Sequence, residues 1–167
     1  MTQEREMQPV TLREITRETV RRIMGLGVKP EQEDNVTSNA VSIAEAYFEP
    51  GAWFRAIYAG DEPVGFIMLF DPTLPGATAG SVAMDEVGLW RFMVDGRYQS
   101  HGYGRQALDL VCGRLRSRGD VARLCSSYVP GPHGSEAFYL GYGFRKTGQM
   151  THDGTETEIL LRLHQED

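Results

Sequence analysis

Six residues, Gln99-Ser100-His101-Gly102-Tyr103-Gly104, join two segments of opposite character. Residues 87–94 are rich in β-branched and aromatic side chains and read as a strand. After the hexapeptide, Ala107, Leu108, Val111, Cys112 and Leu115 recur on one helical face. Arg105, Asp109, Arg114, Arg116 and Arg118 fall on the others, and Gly119 sits where a C-cap belongs. A strand that turns into a helix through glycines aims backbone N–H groups and the positive helix end at the turn, which is the geometry of an anion site. Glycines that merely make a tight turn would give the same letters, so the rest of the chain has to decide. Glycine is abundant, 19 of 167 residues, against a usual share of about 7%.

The remaining elements can be placed by period and punctuation. Residues 9–14 alternate as a short first strand. Thr16 is placed to cap a helix carrying Val20, Ile23 and Met24, ended by Gly25 and Gly27. Residues 29–36 are polar and read as a loop. Ser38 or Asn39 caps a second helix with Val41, Ile43, Ala44, Tyr47 and Phe48, stopped by Pro50-Gly51. Residues 53–58 and 64–70, around the turn at residues 59–62, form a hairpin with a Gly-Asp turn. Residues 71–85 hold Pro72, Pro75, Gly76 and Gly80 and are expected to be a loop. Residues 121–129 form a strand, and Ser135 caps a short helix closed by Gly143. Strands at about 144–150 and 157–163 flank a His152-Asp153-Gly154 turn. The order βααβββαβαββ, without repeat or linker, predicts a single α/β domain over residues 1–167: a mixed central sheet of about seven strands with four helices.

Composition excludes several functions. Lys+Arg number 17 against 23 Asp+Glu, a net charge of −6, which argues against a basic nucleic-acid module. No secretory signal is visible at the start, and the longest apolar run, residues 64–70, is far too short to span a bilayer. Cys112 and Cys125 are expected as buried free thiols of a cytoplasmic protein. No His, Cys, Asp and Glu cluster has metal-ligand spacing, so no metal is expected.

Three phosphate loops compete for residues 99–104. A Walker loop needs Gly-Lys followed by Ser or Thr, whereas Gly104 is followed by Arg105-Gln106. The dinucleotide fingerprint fits residues 102–107, yet its acidic residue belongs after the next strand and Asp120 lies before it. The third pattern, Gln/Arg-x-x-Gly-x-Gly/Ala, is met at every position from Gln99 to Gly104. It resembles the acetyl-CoA pyrophosphate loop of the GNAT superfamily of N-acetyltransferases. The stretch Ala137-Phe138-Tyr139-Leu140-Gly141-Tyr142-Gly143-Phe144 resembles that family's second motif, and βααβββαβαββ is its element order. Residues 89–95 and 129–131 are similar to the diamine or spermidine acetyltransferase branch.

The resemblance implies transfer of an acetyl group from acetyl-CoA to a primary amine, such as a polyamine or diamine, by direct attack in a ternary complex. Met93 and Val94 would bind the pantetheine arm where their strand splays from its neighbour. Gln99, Ser100, His101, Gly102, Tyr103 and Gly104 would hold the pyrophosphate, flanked by Arg97 and Arg105. Tyr139 is the expected general acid, a phenol of pKa about 10 facing a thiolate whose thiol titrates near 8.5. An ammonium of pKa about 10.4 needs a base, and Glu86 is the expected one, with Asp85, Tyr128 and His133 as alternates. Residues 31–49 hold Glu31, Glu33, Asp34, Glu45 and Glu49 and no Lys or Arg. Glu33, Glu45, Tyr47, Trp53 and Tyr128 are therefore expected around a cationic acceptor. A different acceptor (an amino sugar, antibiotic amine or amino acid) and a non-catalytic coenzyme A-binding module are the alternatives. The partners implied are a small-molecule amine and a second copy of the chain as a homodimer, with no nucleic acid and no membrane.

Overall fold

The computed structural model describes residues 8–164, so the single-domain reading over 1–167 takes in residues 1–7 and 165–167 that lie outside them. In chain order the elements are β1 (Val10–Arg13), α1 (Val20–Met24), α2 (Asn39–Phe48), β2 (Ala52–Ala59), β3 (Glu62–Phe70), β4 (Gly88–Val94), α3 (Tyr103–Arg118), β5 (Arg123–Tyr128), α4 (Glu136–Tyr142), β6 (Arg145–Thr151) and β7 (Glu156–Arg162). The seven strands form one mixed sheet in the order β1-β2-β3-β4-β5-β7-β6. All neighbours are antiparallel except β4 and β5.

The apolar run at 64–70 has its explanation in the layering. Strand β3 is covered on both faces, so its residues need not alternate with polar ones. Phe66 and Met68 join Ile23 of α1 and Ala46 of α2 in one cluster. Ile67 and Leu69 face the other way, toward Leu108, Val111 and Leu115 of α3 and Tyr139 of α4. Each fully buried side chain of this size is worth about 1.5–3 kcal/mol relative to exposure.

Three local features differ from the sequence expectation. Residues 29–36 contain a 3-10 helix, Pro30–Asn35, with Pro30 at its first turn and the Lys29 amide donating to Gln32 Oε1 at 3.2 Å. Pro at that position removes a donor the helix would leave unpaired anyway. Helix α1 is only five residues long and begins after Thr19, because residues 16–19 form a turn in which the Thr16 amide donates to Thr19 Oγ1. Ser38, by contrast, caps α2 as expected by accepting from the Val41 amide. Cys112 is buried and Cys125 only partly so, and both thiols are free. Burial pushes the Cys125 thiol up to about 11, with the charges of Glu86 and Glu158 adding to it.

Candidate active site

The site begins where the sheet fails to close. Strands β4 and β5 share one paired position, Gly88↔Cys125. A side chain at 88 would place its Cβ 2.9 Å from Cys125 Sγ, so glycine is what permits even this contact. The Cys125 amide donates to the Val87 carbonyl and Ser126 Oγ to the Leu89 carbonyl, at 3.2 and 3.1 Å. Beyond Leu89 the ladder ends. The separation was expected after Met93 and Val94; the strands already part some four residues earlier. A register shift opposite Met68 and Leu69 leaves Trp90 as an extra residue of β4, and such a bulge bends its strand. The result is a cleft of about 810 Å³.

One end of the cleft is the glycine loop. Gly102 caps α3 at φ +81°, and Ser100 also lies in the left-handed region at φ +65°. The first recorded bond at this helix end runs from the Gln106 amide to the Gly102 carbonyl. The amides ahead of it have no intrahelical acceptor and face out of the helix end. A Cβ on Gly104 would lie 3.3 Å from Phe92 and 3.4 Å from Phe138, so glycine lets α3 start against these rings. Ser100, Gly102, Tyr103, Gly104 and Arg105 line the cleft, as do Met93 and Val94. Gln99 lines it too, but its amide is spent on structure: Nε2 donates to the Val94 carbonyl at 2.9 Å and to Gln32 Oε1 at 2.8 Å. His101 turns back on the loop, Nδ1 lying 2.7 Å from the Gln99 carbonyl and its ring stacked on Tyr103. Arg97 does not line the cleft. Its Nε donates to Asp95 Oδ1 at 2.9 Å and its guanidinium lies over Tyr98. Burial alone would raise the Asp95 carboxyl; hydrogen bonds from Arg97 and from the Gly27 amide outweigh it and hold it below the usual range.

Deeper in, Tyr139 lines the cleft and is otherwise enclosed by the rings of Tyr128, Phe138 and Phe144. Burial pushes its phenol well above the ordinary value; a hydrogen bond with Ser126 opposes this and the charge of Glu156 adds to it. Tyr139 is thereby held as a neutral O–H donor. Tyr128 is pinned by donating to Glu136 Oε1 at 2.8 Å. Tyr142, one turn from Tyr139, faces away, donating to Asp109 Oδ1 at 2.7 Å and receiving Arg105 over its ring.

The structure separates several other expected residues from the cleft. Glu86 sits on the surface, its Oε2 accepting from Arg123 Nε at 2.8 Å beside the closed end of the β4–β5 seam. The reason is its place before Gly88, on the paired side of the split. Tyr47 is exposed and packs edge-on against Phe48. The guanidinium groups of Arg55 and Arg114 both lie over the ring of Trp53, and neither Trp53 nor Glu33 lines the wall. Glu45 reaches the site indirectly, through an ion pair at 3.1 Å with Arg91, which does. Sequence reasoning missed Gln32, Asn35, Arg91, Ser126, Ser127 and Glu156, all in the wall. Asn35 Nδ2 donates to the His133 carbonyl at 3.1 Å, tying the 3-10 helix to the loop before α4 across the mouth. Among the described residues, no group of three or more His, Cys, Asp and Glu is placed to hold a metal ion, and no helix is long and apolar enough to cross a membrane.

A glycine-opened helix end, an interrupted sheet and an enclosed phenol meet in one cleft. The model of the acetyltransferase (GNAT) family matches residues 12–144. The chain belongs to the GNAT acetyltransferase family. A search of curated proteins finds no match. Among solved structures, the ribosomal-protein-S18-alanine N-acetyltransferase of Escherichia coli is 18% identical with a TM-score of 0.64, covering 95% of this chain and 96% of its own. An aminoglycoside acetyltransferase solved with coenzyme A is 14% identical with a TM-score of 0.71, covering 92% and 94%. A spermidine N-acetyltransferase chimera from Vibrio cholerae and a second sequence is 12% identical with a TM-score of 0.65, covering 93% and 96%. At these identities the likeness is one of fold. This GNAT protein is an acyltransferase of the N-acetyl-transferring kind, with the family's seven-stranded sheet and four helices.

Proposed function

We propose that this GNAT protein transfers an acetyl group from acetyl-CoA to a small primary amine by direct attack, with both substrates in the cleft. The observation that carries the reading is the single β4–β5 pair. It leaves the β4 edge without a strand partner beyond Leu89, with the glycine loop at one end of the cleft and Tyr139 within. Amides at the start of α3 would take the pyrophosphate, with Arg105 at hand for a further phosphate. Met93 and Val94 would receive the pantetheine arm along the open strand edge. Tyr139 would donate its hydroxyl to the departing sulfur, since an enclosed neutral phenol stabilises charge that develops beside it.

For the acceptor, a polyamine or diamine is favoured by the acids of residues 31–49. Neutral Gln32, Asn35, Val36 and Thr37 of that segment line the cleft while Glu31, Glu33 and Asp34 flank them. Such a field draws a cation toward the mouth. A second reading, an acceptor with a single ammonium, is favoured by the wall itself, where Arg91 is a cation and Glu156 is the one acid among the described lining residues. A thiol-release assay with acetyl-CoA across spermidine, spermine, putrescine, amino sugars and amino acids tests both. Turnover rising with the number of amines supports the first; a preference for monoamines supports the second; no thiol release from any amine refutes acetyl transfer. Acetyl-CoA should also raise the thermal midpoint, and NADH should leave it unchanged.

A further inference from the structure

The wall of the cleft contains a carboxylate that no expectation had assigned. Glu156 opens β7, and its Oε2 accepts from Ser127 Oγ at 2.6 Å and lies 3.2 Å from His152 Nε2. Among the described residues no hydrogen bond or ion pair engages Oε1. The hairpin turn that brings His152 there is strained: His152 and Asp153 sit at φ +50° and +57° ahead of Gly154 at +84°. Non-glycine residues persist in this region where the surroundings hold them. The charge of Glu156 adds to the burial that raises the Tyr139 phenol and, after that of Glu45, opposes the burial that lowers the Arg91 guanidinium. A partly buried carboxylate thus sits between the enclosed phenol and the cationic wall, one oxygen fixed and the other free.

We propose that Glu156 is the general base of the reaction, with Ser127 and His152 as the residues that position it. This rests on the acetyl-transfer reading above. Glu156 Oε1 takes one proton from the acceptor's ammonium group. The freed nitrogen lone pair forms the C–N bond at the thioester carbonyl carbon, and the C–S bond breaks. Tyr139 gives its proton to the sulfur and recovers the second proton lost by the nitrogen. Glu156 releases its own to solvent, so each amide formed yields one thiol and one proton.

The test compares wild type, Glu156→Gln, Glu156→Asp and Glu86→Gln with the best amine found above, from about pH 8 to the amine's own pKa near 10. The charged or titratable groups facing Glu156 are Tyr139 from α4, Arg91 from β4 and His152 from the turn. In Glu156→Gln, kcat/KM should fall about 10²–10⁴-fold at the low end. The deficit should then shrink by up to about tenfold per pH unit, because the buffer supplies the free amine that the base no longer makes. A merely structural role would give a deficit independent of pH. Glu156→Asp should recover part of the rate, and if Glu156→Gln does not fold, the slope of Glu156→Asp decides. An unchanged thermal shift with acetyl-CoA shows that the donor site survives. Full activity in Glu156→Gln, a flat deficit, or a larger loss in Glu86→Gln overturns the assignment while leaving acetyl transfer intact. A wild-type protein inactive on every amine refutes both.

Discussion

At the donor end of the cleft, consecutive residues supply nearly everything: Gly102 and Gly104 shape the turn, α3 presents its amides, and Arg105 follows directly. At the acceptor end the wall is assembled from four distant segments. Gln32 and Asn35 come from the 3-10 helix, Arg91 from the bulged strand, His133 from a loop, and His152 with Glu156 from the last hairpin. The first end offers main chain, whose geometry is set by local φ and ψ. The second offers side chains, whose company is set by how the sheet opens.

The difference can be broken at its meeting point, Tyr139. Tyr139→Phe should lower kcat about 10²–10⁴-fold while the thermal shift with acetyl-CoA stays as in wild type. Because burial raises this phenol, wild-type turnover should show no loss from phenol ionisation at the ordinary value near pH 10; an alkaline fall at that point would remove Tyr139 as the donor. The donor end should yield to a single backbone change. Gly102→Val puts a β-branched residue at φ +81°, at a cost of about 1–3 kcal/mol, and should abolish the acetyl-CoA shift in a melt.

Asp95 separates support of the loop from recognition. Asp95→Asn weakens charge-assisted bonds from Arg97 and the Gly27 amide and should cost about 1–3 kcal/mol in urea unfolding. Its folded carboxyl is held below the unfolded value of about 3.9. Its contribution is therefore present above pH about 4 and disappears as pH falls through the lower folded value, so variant and wild type should converge in acid. The smallest effect belongs to the acceptor end. Asn35→Ala breaks the bond to the His133 carbonyl, worth about 0.5–1.5 kcal/mol. It should raise KM for the amine and leave KM for acetyl-CoA unchanged.

The legibility of the two ends follows the same division. Gly102 and Gly104 were readable because turn geometry admits few residue types, and Tyr139 because it stands in a compact second motif. Glu86 was the base that the family resemblance implied, at the start of the strand leading to the loop, but the structure places it outside the cleft. It precedes the single β4–β5 pair and pairs with Arg123 outside the cleft. Arg97 was readable as a cation near the loop; that Asp95 would occupy it was not, because the buried carboxylate also needs the Gly27 amide from a segment 68 residues away. Glu156 left no signal, since Glu156 and Glu158 both suit a strand; the β5–β7 register sets Glu158 opposite Ser127, while the Ser127 hydroxyl reaches Glu156 instead.

The order of elements and the glycine turn at residues 99–104 were determined by the amino-acid sequence itself. Period, β-branching and glycine act over a few residues, and their energies do not depend on what lies across the fold. The site of the split between β4 and β5, the bulge at Trp90 and the choice of wall carboxylate were decided by the tertiary structure. Each depends on which strand meets which, and a one-residue shift in that pairing would exchange the side chains in the cleft for those on the surface.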